Sequence, residues 1–316
     1  MPSVRLDFYS IRLRERGDKE AFVSFDSVIQ DNSFIDIFQK FVKTFEDDLD
    51  INDVNKKTFQ FKPNSLKFSS ENRKISGILK SGEFGRSSEV FNIITKTAKP
   101  PLDKNDSVIN PFYFLIQVPK ESQVGFLVLQ RFGQQGITGI FTDHFCRFVR
   151  QEFQGFTVDF SPLASKELLM KMIDKGTVNE ITLRKYNLPT DLADKYYHTG
   201  LQVDKTLTAE FKLHSGGVFG NAFKDKVKNY INQPEAMFFD IPALQSLGFD
   251  SNTETAIRVE TGNSTRTIIL NHFERFKTSF DIQKDVTFES NGHPNFESID
   301  AIAKELLKEH FYASED

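Results

Sequence analysis

The chain has 316 residues, 39% of them apolar and 27% charged, and a formal net charge of −4. That length carries a sizeable core and has room for two domains, while the charge gives no overall argument for a polyanion partner. No apolar run nears the roughly 20 residues that span a bilayer, the first twenty residues lack a signal-peptide apolar core, and the lone Cys146 makes no internal disulfide; the expectation is a cytoplasmic protein without membrane insertion.

Residues 4–13, VRLDFYSIRL, alternate apolar with polar and predict a half-buried strand. A short run, AFVSF, follows, and then Ser33 precedes FIDIFQKFVKTFEDDL. Phe34, Ile37, Phe38, Phe41, Val42 and Phe45 recur at three and four, so this is an amphipathic helix with Ser33 as N-cap. Glu46, Asp47 and Asp48 oppose its dipole and predict fraying there.

Between 57 and 96 three strand-like runs, TFQFK, NRKISGIL and SEVFNIIT, surround Gly82 and Gly85 and predict a second hairpin. It carries Arg73, Lys74, Lys80 and Arg86, the best local basic patch of the first half; with Arg131 these are the candidate nucleic-acid-binding residues. The competing reading is a solvated edge on which lysine discourages edge pairing. Residues 97–111, TAKPPLDKNDSVINP, read as a long exposed loop.

The stretch from 112 to 133, FYFLIQVPKESQVGFLVLQRFG, consists of two apolar runs about a proline-bearing turn. It predicts an antiparallel hairpin covered on both faces, the centre of the main sheet. GQQGITG then has three glycines but matches neither GxGxxG nor a P-loop. It reads as a tight strand-to-helix connection, or as backbone open to a ligand. In the helix 140–153, Ile140, Phe141, His144, Phe145, Phe148, Val149 and Phe153 share a stripe, and Asp143 and Arg147 make an exposed pair. Cys146 and His144, two apart on a helix, point in different directions, which favours a packed cysteine over a nucleophile.

Residues 156–160 form a short strand, and Ser161-Pro162 reads as the start of a helix ended by Gly176. A strand at VNEITLRKY, a helical turn at Pro189-Thr190 and a longer strand at VDKTLTAEFKLH come next. In the helix VFGNAFKDKVKNYI, Lys224 and Lys228 form either a solvated face or a phosphate contact. ETAIRVETGNSTRTIIL is a hairpin about Gly262-Asn263-Ser264. Asn295 caps a last helix with a stripe at Phe296, Ile299, Ile302, Leu306 and Phe311. The fold class is α+β, mainly antiparallel sheets with packed helices, divided as 1–160 and 161–316.

The 34 phenylalanines against no tryptophan read as core filler, with an aromatic nucleic-acid platform as the sharper alternative. Six scattered histidines show no HExxH spacing. One enzymatic constellation can be assembled. Glu210 and Lys212, two apart on a strand, share a face; with Asp194 and Asp204 as further carboxylates they resemble the catalytic set of a restriction-type nuclease. Carboxylates there hold Mg²⁺ and the lysine polarises water. Otherwise no cofactor or metal is expected.

At INPFYFLIQVPKESQVGFLVLQRFGQQGITGIF, RTIILN and NGHPNFESIDAIAKELL the chain resembles an uncharacterised bacterial family found near phage-defence and mobile-element loci. The resemblance spans most of the chain and implies a sensor, adaptor or effector in defence. It transfers no functional residue. The expectation is a binding component of an anti-phage system, its ligand nucleic acid or a partner protein of a defence complex, with homo-oligomers allowed. The alternatives are the metal-dependent nuclease and a structural subunit.

Overall fold

The computed structural model describes residues 3–27, 29–69, 73–164, 166–187, 207–233, 237–261, 264–276 and 278–311. Among them are six α-helices and three antiparallel sheets, so the class is α+β. No helix among the described residues is long and apolar enough to cross a membrane.

Through residue 162 the chain runs β1 (Val4–Glu15), β2 (Phe22–Val23), α1 (Phe34–Thr44), β3 (Asp50–Asn52), β4 (Lys57–Phe61), β5 (Lys67–Ser69) and β6 (Lys74–Ser81). It continues with β7 (Ser88–Asn92), β8 (Thr97–Leu102), β9 (Asn110–Gln117), β10 (Gly125–Phe132), β11 (Gln135–Gly136), α2 (Thr138–Glu152) and β12 (Phe156–Pro162). Next come α3 (Lys166–Lys175), β13 (Thr177–Lys185), β14 (Ala209–His214), α4 (Asn221–Asn232), α5 (Pro242–Gln245), β15 (Glu254–Thr261) and β16 (Ser264–Ile269). β17 (Ser279–Asp281) and α6 (Phe296–Phe311) close the described chain.

Two compact units result, Met1–Pro162 with Lys277–Asp316, and Leu163–Phe276. The division expected from sequence, 1–160 and 161–316, differs in its second part. The final stretch joins the first unit because β17 pairs with β1 at Arg5↔Asp281 to Asp7↔Ser279, and because α6 anchors to β9 through Tyr113 and Asp300.

In the first unit the main sheet has the order β12-β1-β10-β9-β6-β4-β3. The β9–β10 hairpin is at its centre, as its two-sided apolar pattern requires. One face carries α1 and α2. Here lies a core of 28 buried residues, twelve of them phenylalanine. The phenylalanine-rich composition is therefore spent on core filling. Rings meet edge to face or tilted, as between Phe38 and Phe145 at 5.4 Å and between Phe41 and Phe145 at 4.8 Å, the arrangement that aromatic quadrupoles favour. Ser33 caps α1 as expected: its Oγ accepts from the Asp36 N–H, and Asp36 accepts from the Ser33 N–H at 2.9 Å. The helix stops at Thr44, ahead of the acidic run that would oppose its dipole.

The other face of the sheet carries α6. Phe8 packs between Phe280 and Phe311. The fully buried Tyr113 donates its hydroxyl to Asp300 Oδ1 at 2.8 Å, and Lys304 donates to Asp300 Oδ2 at 2.7 Å. Asn295 caps α6, accepting from the Ser298 N–H at 3.1 Å. Its buried positions are Ile299, Asp300, Ala303 and Leu307. Ile302 and Leu306, expected in the stripe, stay partly exposed.

Two local expectations are corrected. Ser161 and Pro162 do not start a helix; they extend β12, paired with Ser10 and Tyr9, and α3 begins at Lys166. The β6–β7 hairpin does not form either, since β6 takes β9, β4 and β5 as partners and β7 takes β8. The second unit is a four-stranded sheet, β14-β13-β15-β16, with its own core of Ile181, Leu183, Val227, Ile231, Ile257, Val259 and their neighbours. β15 and β16 form the expected hairpin, while Gly262 and Asn263 of its turn lie outside the described residues, as do Pro189 and Thr190. Gly176 ends α3, donating to Met172 O at 2.8 Å; a Cβ there would meet Val259 Cγ1 at 2.6 Å.

Candidate functional site

The residues expected to form one basic patch are spread over two ends and two faces of the sheet. Arg73 precedes β6 with φ of 46°, ion-paired with Asp26 and donating to Phe25 O at 2.8 Å. The hydrogen bond that Arg73 donates to Asp26 holds that carboxyl below its ordinary pKa. Lys74 and Lys80 both lie on β6, six residues apart, which is roughly 20 Å along a strand at 3.3 Å per residue. Lys74 is half-buried near Asp300, Lys304 and Lys308, and burial, then Lys304, lowers its pKa. Arg86 is exposed beyond the far end of β6. Arg131, on β10, lies 3.4 Å from the buried Asp7 carboxylate and donates to Ser279 Oγ at 3.4 Å. A strand this long separates residues that sequence proximity groups together.

The nuclease-like set is brought together only in part. Glu210 and Lys212 share the face of β14 that also presents Arg184 and Glu180 from β13. Both are engaged. Arg184 Nε donates to Glu210 at 2.6 Å, which keeps that carboxyl below its usual pKa, and Lys212 Nζ lies 3.4 Å from Glu180 and 3.8 Å from Glu210. Asp194 and Asp204 lie outside the described residues. Among the described residues no group of three or more His, Cys, Asp or Glu side chains is placed to hold a metal.

His144, Cys146, Lys224 and Lys228 also have structural partners. His144 is buried and stacked on Phe59 at 4.2 Å, its Nδ1 2.7 Å from Ile140 O and its Nε2 2.7 Å from Asp50 Oδ2. Asp50 also pairs with Arg147, at 3.5 Å. The Cys146 thiol donates to Val158 O at 3.1 Å. Lys224 donates to the carbonyls of Asp174 and Gly176, and Lys228 to the Asp174 carboxylate, so this pair ties α4 to the end of α3.

A run of three exposed apolar side chains in the first unit lies elsewhere, in a segment whose sequence reads partly as strand and partly as loop. β7 and β8 pair with each other alone, from Ser88↔Leu102 to Asn92↔Thr97. Pro100 and Pro101 made 97–111 read as loop, yet both sit in β8, a strand whose outer edge is unpaired and needs no N–H there. At the tip the Asn92 side chain accepts from the N–H groups of Ile94 at 2.9 Å and Thr95 at 3.1 Å, and Lys96 takes φ of 54°. Phe91 is 58% exposed, Ile93 89% and Ile94 88%, flanked by exposed Lys96 and Lys99. The legible signal was an asparagine turn between two β-branched runs.

No protein-family model matches the chain, and no curated protein matches its sequence. The choice of site therefore rests on the chain's own geometry.

Proposed function

We propose that the chain is a cytoplasmic sensor or adaptor of a bacterial anti-phage defence system, and that the β7–β8 ribbon docks it onto a partner protein. The observation that carries this reading is the exposure of Phe91, Ile93 and Ile94 together at the ribbon tip. Contiguous exposed apolar residues detract from solubility and add nothing to either core, which is the usual mark of an interaction site. Lys96 and Lys99 specify the complement, an apolar pocket with an acidic rim. The family resemblance supplies the defence context.

Fully burying such a side chain is worth about 1.5–3 kcal/mol, so three of them make an anchor. The test compares the tagged full chain with a combined Phe91→Ser, Ile93→Ser and Ile94→Ser variant expressed in a bacterial host. Wild type retains a stoichiometric protein through high-salt washes. The variant loses that protein, at least about a hundredfold in affinity, together with protection in a phage plating assay, and keeps its circular-dichroism melt. Retention of the partner by the variant overturns the reading. So does recovery of nucleic acid alone, released by salt, or flotation of the wild type with anionic vesicles.

The metal-dependent nuclease is the alternative. It needs Glu210 released from Arg184, and Asp194 and Asp204 brought to the same face of β14. Mg²⁺-dependent cleavage of DNA or RNA that disappears in Glu210→Ala would favour it over docking.

A further inference from the structure

A cleft of about 280 Å³ opens in the first unit where the end of β6, the start of β9 and the connection from β10 into α2 converge. Its floor is apolar: Phe112 is 3% exposed and Ile137 1%. Its walls are polar. Ser81 is only 6% exposed, and its hydroxyl has no hydrogen-bond partner among the described residues. Asn110, cross-strand from Ser81, donates to Gln135 Oε1 at 3.2 Å and pins the connection over the cleft. Lys57 stands at the wall, held at 3.4 Å by Glu83, whose side chain is 71% exposed.

The remaining wall is the start of α2. Ile137 is its N-cap, no side chain caps its first turn, and no acidic residue lies in that turn. A helix of this length leaves its first N–H groups unpaired and its positive dipole end uncompensated, and that end adjoins the cleft through Gly136 and Ile137. The glycine run noted in the sequence is what brings bare backbone there. At Gly139, in the first turn, a Cβ would meet nothing within 4 Å.

We propose that this cleft binds a small phosphorylated molecule. Its oxyanion sits at the N-terminal turn of α2 within reach of the Lys57 ammonium, displacing the Glu83 carboxylate, and its polar body meets the Ser81 hydroxyl. Lys57 and Ser81 line the cleft beside the uncapped start of α2, and phosphate is a group that accepts from an ammonium, a hydroxyl and a helix N-terminus together.

Calorimetric titration of the full chain with glycerol 3-phosphate, inorganic phosphate and, as uncharged control, glycerol tests this. Saturable binding of glycerol 3-phosphate or of phosphate, with none of glycerol, is expected. Ser81→Ala and Lys57→Met each weaken it at least tenfold. Circular dichroism melts equal to wild type show that both variants fold. Absence of saturable binding overturns the proposal, and so does binding unchanged in Ser81→Ala or in Lys57→Met. Neither result bears on the ribbon, whose residues are not those of the cleft.

Discussion

Tyr113→Phe removes one buried hydroxyl. The ring is retained, so no cavity opens, and the losses are the O–H that Tyr113 donates to Asp300 at 2.8 Å and the hydrogen bond between that hydroxyl and Ser76. Burial alone would raise the Asp300 pKa; hydrogen bonds from Lys304, Ser76 and Tyr113 outweigh it and hold the carboxyl below its ordinary 3.8. Burial and the neighbouring carboxylate push the Tyr113 phenol well above its ordinary value, so it stays a neutral donor. Removing a donor to an ionised buried group costs about 1.5–3 kcal/mol, and Lys304 and Ser76 remain to hold the carboxylate. Because Asp300 titrates below its unfolded value, the stabilisation it carries is complete above about pH 4 and is lost as pH falls through its folded pKa. In Tyr113→Phe that folded pKa rises, so the deficit against wild type is full at neutral pH and shrinks in acid. Urea unfolding of both chains follows this by far-UV circular dichroism, since the chain has no tryptophan. Equal stability at neutral pH, or a deficit that stays constant until acid unfolds both chains, would refute the assignment of Asp300 as a hydrogen-bonded carboxylate.

Ser33→Ala should lower stability by about 1 kcal/mol through loss of the α1 cap, read as a shift in the urea midpoint; no shift would mean that the capping box carries no weight. Gly82→Ala places a Cβ 2.4 Å from Val108 O and 2.5 Å from Ser107 Oγ, and overpacking against backbone costs about 1–3 kcal/mol, so a melting temperature equal to wild type would contradict the close approach. Burial raises the Cys146 thiol to about 11, so a disulfide reagent at mildly alkaline pH should label the native chain far more slowly than the chain in urea. As the only cysteine it gives an unambiguous signal, and equal rates would place it on the surface.

Elements whose cause is local could be read from the sequence. The Ser33 cap, the three-and-four spacing of α1 and α2, the two-sided apolar pattern of β9 and β10 and the hairpin of β15 and β16 depend on residues a few positions apart, and periodicity and capping report on such neighbours. What tertiary structure alone decided is which strand pairs with which. β6 and β7 adjoin in sequence, yet β6 bonds to β9 because Ile75 and Leu79 join the phenylalanine core, whereas β7 carries no buried residue and is left to β8. The basic residues failed as a patch for a related reason: β6 sends Lys74 toward α6 while Arg73, one residue earlier, turns to Asp26. The ribbon and the cleft arise from such pairings. Composition supplied the phenylalanines and the glycine run. Only the folded sheet determined that twelve phenylalanines fill its core, that Phe91 stays at the ribbon tip, and that the glycine run opens beside Ser81.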